Sequence, residues 1–158
     1  EEAREQLVEL LQQISTLQAR MGEWNELHHI LRRTLAALSP FYADLRSLGR
    51  SAAGPANGRA LLRAWRLCQT ELDRLADFEN ELGSVQAPRP SWRARVASLR
   101  REMEDRLREE AWSVAGLLDL TDELDQACNC YLDLADWELR RAAGKAQRLY
   151  THLFGGLL

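Results

Sequence analysis

The chain has 158 residues, of which 46% are hydrophobic and 28% are charged, and its formal net charge is −3 at pH 7. This is the length and composition of one ordinary globular domain, so disordered and collagen-like chains are excluded. The acidic balance argues against a general affinity for nucleic acids, because phosphate binding needs a surplus of cations on some surface.

Apolar residues recur at alternating spacings of three and four along the first part of the chain. The stripe contains Leu7, Leu10, Ile14, Leu17, Met21, Trp24, His28, Leu31, Leu35, Leu38, Tyr42 and Leu45. This heptad pattern predicts a long helix over about 3–48. Because the pattern keeps its phase across Gly22, we expect the helix to continue through that residue. Pro40 removes a backbone donor, so we expect a kink or a short break near residues 36–38.

A second helix is predicted between two segments rich in breakers. Residues 49–58 contain three glycines and a proline without any period, which predicts a loop. The next stripe predicts a helix over 59–84, formed by Leu61, Trp65, Cys68, Leu72, Leu75, Glu79 and Leu82. Residues 85–90 contain two prolines and predict a turn.

A third helical segment is predicted over 91–154, where no proline interrupts the apolar pattern. One helix of this length would be roughly 90 Å long and would exceed any partner helix in the chain. Gly116 and the polar cluster at 125–129 offer places for an interruption. An unbroken helix and a break between residues 116 and 129 therefore both remain open.

Candidate metal and catalytic residues lack the companions that such sites need. Glu26 and His29 have the Glu-x-x-His spacing of di-iron bundle proteins, but the chain has no second pair of this kind. Cys128 and Cys130 point to different sides of a helix, and Cys68 alone supplies no second cysteine pair. We therefore predict no catalytic, cofactor-binding or metal-binding residues, and a protein that is not an enzyme. Cys68 and Cys128 are predicted to lie in the core.

Two tryptophans fall outside the apolar stripes and are the predicted interface residues. Trp112 and Trp137 lie beside the stripe of the third segment. A large aromatic residue in that position indicates either a wider core or a contact with a partner, since aromatic residues are enriched at the centres of interfaces.

The sequence also suggests where the protein is found. Its three cysteines are an odd number without the spacing of a disulfide framework, which predicts a reducing, cytoplasmic compartment. No apolar run approaches the roughly 18 residues that can span a bilayer, so we expect no membrane insertion of this segment. The chain begins at Glu1 without a methionine and ends in GGLL, and we expect it to be a segment of a longer protein.

The long heptad helices, the stretch WNEL and the stretch WRLCQTELDRLADFENEL before a proline-rich turn resemble the spectrin-repeat family. The resemblance implies an all-α, elongated antiparallel bundle of three to five long helices. Residues 59–84, 91 to about 126 and the remainder would form one repeat, with 3–48 belonging mainly to the preceding junction. Phe78 stands where the family has a tryptophan, and residues 128–154 lack a clean match.

These patterns predict a non-enzymatic helical scaffold, spacer or docking segment of a larger intracellular protein. It would bind a protein partner, or a second copy of itself, through its helix faces. The alternative is a compact adaptor or signalling domain of four or five helices.

Overall fold

The structure, a computed structural model, describes residues 1–50, 56–86, 90–109 and 112–155. This part of the chain contains four helices and no strand. Helix α1 spans Glu2–Arg50, α2 spans Ala56–Gln86, α3 spans Pro90–Arg108 and α4 spans Val114–Gly155. The predicted all-α bundle of three to five helices is confirmed.

Helix α1 is continuous through both of its potential breakers. It passes Gly22, as the unbroken phase of the stripe predicts, and it contains Pro40 without a break. No atom lies within 4 Å of the place where a Cβ at Gly22 would stand, so close packing does not require a glycine there. Parts of the predicted loop 49–58 and of the predicted turn 85–90 lie outside the described residues.

The third predicted segment is interrupted before the window in which a break was expected. Helix α3 ends at Arg108 and α4 begins at Val114, so residues 116–129 lie within α4. The Gly116 amide donates a hydrogen bond of 3.1 Å to the Ser113 hydroxyl, which caps the start of α4. Farther along, the Asn129 side chain donates to the backbone oxygen of Asp125 over 3.0 Å. The glycine and the polar cluster are therefore compatible with the helix, and the serine cap determines where it begins.

The helices form two compact units. Unit 1 contains Glu1–His28 and Asp133–Leu158, and unit 2 contains His29–Leu132. The first part of α1 thus packs with the last part of α4 in unit 1. In unit 2, the end of α1 lies beside the start of α4, where a Cβ on Gly49 would stand 3.3 Å from Val114. The two helices are therefore antiparallel partners.

Unit 2 is an up-and-down bundle of four antiparallel helices. Between α1 and α2, residue numbers rise along one helix as they fall along the other: Arg33 lies beside Glu71, and Ala37 lies beside Cys68. The same reversal appears between α2 and α3 in the contacts Gln69–Glu104 and Asp73–Arg100, and between α3 and α4 in Arg95–Glu123 and Arg106–Gly116.

The core of unit 2 is wider than the predicted stripes. Residues beside the α1 stripe are buried, including Ile30, Thr34 and Phe41, whereas Leu35 on the stripe is half-buried. A helix in a four-helix bundle contacts more than one neighbour, so its buried arc is broader than a two-stranded seam. The ring of Phe41 packs at 5.2 Å from the ring of Trp65, joining α1 to α2.

We predict that Leu31→Asp lowers the free energy of unfolding by about 4 kcal/mol, because Leu31 is fully buried and an aspartate there would be an unpaired charge in the core. Urea titration followed by circular dichroism measures the change. Leu67→Asp is the control, since Leu67 is 59% exposed, and it should change the free energy by less than about 0.5 kcal/mol. Equal effects of the two substitutions would contradict the placement of Leu31 in the core.

Candidate functional site

The two predicted interface tryptophans belong to different units. Trp112 is half-buried and lies just before α4, in unit 2. Trp137 lies on α4 in unit 1 and is 54% exposed, with the Arg141 guanidinium 5.4 Å from the centre of its ring. More than half of Trp137 is therefore accessible, whereas Trp112 is partly covered.

The residues of the Glu-x-x-His pattern lie at the surface of α1. Glu26 and His29 are both exposed, and His28 is half-buried. In the part of the chain that the structure describes, no three side chains of histidine, cysteine, aspartate or glutamate are grouped closely enough to hold a metal ion.

The cysteines lie where core packing predicts them. Cys68 and Cys128 are fully buried, Cys130 is half-buried, and all three are free thiols. Burial raises the pKa of Cys68 and of Cys128 to about 12, so both thiols stay protonated at neutral pH. The Cys68 thiol donates a hydrogen bond of 3.1 Å to the Ala37 backbone oxygen. These two thiols fill the core and are poor nucleophiles.

A buried carboxyl group joins α2, α3 and α4 in unit 2. Glu79 is 4% exposed, and the Tyr131 hydroxyl donates a hydrogen bond of 2.7 Å to its Oε2. The Arg93 Nε lies 3.9 Å from the same oxygen. Burial raises the pKa of Glu79, against the opposing effects of the Tyr131 bond and the Arg93 charge. Burial and the nearby carboxylate also raise the pKa of Tyr131. The sequence pattern places Glu79 on the stripe but does not reveal its partners.

The interior of unit 1 is small. Only five of its described residues are buried, and three of them are alanines: Ile14, Leu27, Ala135, Ala142 and Ala146. Alanines let α1 and α4 approach each other closely, but they bury little apolar surface. On the predicted stripe, Leu7 is 42% exposed and Leu10, Leu17, Met21 and Trp24 are half-buried.

Exposed apolar side chains are concentrated in unit 1. Six of the eight large hydrophobic residues that are exposed in the described chain belong to it: Leu7, Val8, Leu11, Trp137, Tyr150 and Phe154. Of these six, Tyr150 and Phe154 stack on each other, and adjoining exposed apolar residues mark interaction sites more often than isolated ones do. No described helix has a long enough uncharged, apolar stretch to cross a membrane.

Two grooves follow the α1–α4 pair of unit 1. The apolar groove has a volume of ≈ 450 Å³ and is lined by Met21, Ala143, Ala146, Gln147, Tyr150, Thr151 and Phe154. The charged groove has a volume of ≈ 690 Å³, and its lining includes Glu9, Leu17, Arg20, Lys145, Arg148 and Leu149. The rings of Tyr150 and Phe154 stack at 6.1 Å, and the Tyr150 hydroxyl accepts a hydrogen bond of 2.7 Å from Gln18.

The apolar stripes do not predict these grooves, although the sequence contains one signal for them. From Leu139 to Gly155 the chain has four cations and no acidic residue. This run contains Tyr150 and Phe154. It distinguishes the end of α4 from the other helices, in which acidic and basic residues are mixed. The grooves of unit 1 are the candidate functional site.

We predict that Glu79 makes the stability of the protein depend on pH. The folded pKa of Glu79 lies above its ordinary value of 4.5, so its protonation stabilises the fold fully below that value and progressively less as pH rises through the folded pKa. Relative to Glu79→Gln, the native protein should therefore gain stability as the pH falls from neutral towards 4.5. Urea titrations of both proteins at each pH measure this difference, and a difference that shrinks on acidification would contradict the assignment.

Comparison of the chain with protein-family models, with curated proteins and with solved structures gives no significant match.

Proposed function

We propose that the chain is a non-enzymatic docking and spacer segment of a larger cytoplasmic protein, and that it binds an amphipathic helix of a protein partner in the apolar groove of unit 1. The observation that carries this proposal is the concentration of exposed apolar side chains in unit 1. A third helix laid in the apolar groove would cover Tyr150 and Phe154, and a groove of this kind is a common mode of recognition for amphipathic helices.

The chemistry of the groove defines the partner. None of the residues that line the apolar groove is charged. The stacked rings of Tyr150 and Phe154 give it a flat aromatic surface. A helix with leucine, isoleucine or methionine at positions i, i+3, i+4 and i+7 would fit this surface, whereas a strongly charged segment would have to lose its hydration there without any ion pair in return.

The spectrin-repeat resemblance contributes the spacer part of the proposal. Helices of 49 and 42 residues support it, because long helices are what such repeats use as spacers. Unit 2 has four helices, whereas a spectrin repeat has three. From the resemblance we therefore infer only the spacer role. Fold-level likeness does not supply a partner.

A compact adaptor domain is the second candidate function, and the four-helix bundle of unit 2 favours it. Unit 2 has its own buried core, and Leu62 and Leu67 on α2 are 44% and 59% exposed. In that case the partner would contact α2 and not the groove of unit 1.

Site-specific photo-crosslinking in the full-length protein separates these two functions. A photoreactive phenylalanine analogue replaces Phe154 in the apolar groove or, as the matched control, Leu67 on α2. We expect one defined protein to be captured from position 154 and not from position 67, because the exposed apolar surface is concentrated in unit 1. Capture from position 67 alone would support the adaptor domain instead.

The captured protein then allows a quantitative test. Phe154→Asp should weaken its binding by about tenfold or more, because an aspartate would place a charge in the aromatic centre of the groove. Leu67→Asp should leave binding unchanged. Isothermal titration calorimetry measures both affinities, and unchanged binding by the Phe154 variant would refute the docking site.

A further inference from the structure

Three cations lie close together in the charged groove of unit 1. Arg20 on α1 and Lys145 and Arg148 on α4 all line it. A hydrogen bond from Gln18 to the Tyr150 hydroxyl sets the register of the two helices. Arg20 comes two residues after Gln18, and Arg148 comes two residues before Tyr150. Because α1 and α4 are antiparallel, the two arginines lie at the same level, one on each helix of the groove.

The described part of the chain supplies no counterion to these cations. None of its ion pairs uses Arg20, Lys145 or Arg148. After Glu138, α4 has no acidic residue. On α1, Glu23 comes one turn after Arg20, but it does not line the groove and forms no described ion pair. Like charges gathered at one place repel each other, so an anionic group among them would be bound favourably.

The floor of the charged groove is apolar. Leu17 of α1 and Leu149 of α4 line it and are half-buried, whereas the three cations are exposed. An occupant therefore meets leucine side chains between the helices and positive charge on both sides. A helix with leucines on one face and carboxylates beside them complements both features, since a carboxylate accepts paired hydrogen bonds from an arginine.

The other end of the groove is acidic and limits the occupant. Glu9 lines it and, at 1.5 Å per residue, lies roughly 16 Å along α1 from Arg20. Glu9 also lines the adjoining groove, together with Glu1, Glu5 and Arg4. A nucleic acid or an anionic membrane presents negative charge over a longer distance and would be repelled at this end. The carboxylates of the occupant are therefore confined to one end of it.

We propose that the charged groove of unit 1 is a second docking site, and that it binds an amphipathic helix of a protein partner whose carboxylates are clustered at one end. The carboxylates contact Arg20, Lys145 and Arg148. The leucines of the helix pack against Leu17 and Leu149 at the floor of the groove. Charge complementarity and the apolar floor together carry this assignment.

This site is separate from the apolar groove. On α4, Lys145 and Leu149 line the charged groove, whereas Gln147 and Thr151 line the apolar groove. Residues two apart in a helix point about 200° away from each other, so the two grooves open on opposite sides of the α1–α4 pair. Binding in the charged groove therefore does not depend on docking in the apolar groove.

Binding of a defined peptide to the intact chain tests the proposal. The acidic probe is a fluorescein-labelled helical peptide of about 18 residues, with leucine at positions i, i+3, i+4 and i+7 and about four glutamates beside them at its N-terminal end. Fluorescence anisotropy should give a dissociation constant below about 100 μM at low salt, raised about tenfold at about 0.5 M salt because exposed charges are screened. Failure to bind at that concentration, or binding insensitive to salt, would overturn the proposal.

Two control probes separate a docked helix from attraction of any anion. A basic probe, with lysine for each glutamate, should bind about tenfold more weakly or worse, because like charges repel. An alanine probe, with alanine for each leucine, should also bind more weakly, because it cannot use the apolar floor. Equal binding of the alanine probe would overturn the proposal. Co-sedimentation of the chain with vesicles containing phosphatidylserine, without peptide binding, would overturn it in favour of a membrane surface.

Charge reversal in the groove makes the test specific. A groove variant with Arg20→Glu, Lys145→Glu and Arg148→Glu should lose the acidic probe and gain binding of the basic probe. The matched control reverses three exposed arginines of unit 2, Arg32→Glu, Arg63→Glu and Arg66→Glu, and should bind the acidic probe unchanged. Circular dichroism of both variants should show native helix content. A helical groove variant that keeps the acidic probe, or that fails to bind the basic one, would refute the assignment.

Phe154→Asp distinguishes the two docking sites of unit 1. This substitution lies in the apolar groove and should leave binding of the acidic probe unchanged. Loss of binding would place the probe in the apolar groove and overturn the proposal. Unchanged binding supports the charged groove even where docking in the apolar groove fails.

Discussion

A helix can bury only the sides that face its neighbours. This constraint decides which residues are buried in each unit of the protein. In unit 2 four helices share the burial, so α1 hides Ile30, Thr34 and Phe41 as well as its stripe. In unit 1 the same α1 helix has one partner, and Leu7, Val8 and Leu11 remain exposed. An apolar pattern that is equally regular in sequence thus forms a core in one unit and stays partly exposed in the other.

The residues of α4 reinforce this difference. In unit 2 it buries Leu117, Leu124 and Tyr131, which fill the space between four helices, whereas in unit 1 it buries Ala135, Ala142 and Ala146. Alanines bring two helices together at the cost of apolar area, since each buried methylene that is missing forgoes about 0.8 kcal/mol. Unit 1 therefore has more to gain from a partner than unit 2 does.

Polar groups that have a partner within the chain are also concentrated in unit 2. The buried carboxyl of Glu79 has its hydrogen bond from Tyr131 and its charge partner in Arg93, and eight of the nine described ion pairs lie in unit 2. A buried charged pair adds little net stability, because the loss of hydration offsets the attraction between its charges. In unit 1 the one described ion pair joins Arg140 to Asp136 within α4.

The sequence by itself determined where α1 lies, because heptad spacing depends on residues close together in the chain: α1 was predicted within two residues of its observed ends and through Gly22. It did not locate the break between α3 and α4. It also identified Cys68 and Cys128 as core residues, since both lie on apolar stripes. The tertiary structure decided which half of each stripe is covered, that Glu79 meets Tyr131, and that the charged and apolar grooves lie along the α1–α4 pair. These properties depend on how many helices surround each segment. The periodicity of one helix does not reveal that number.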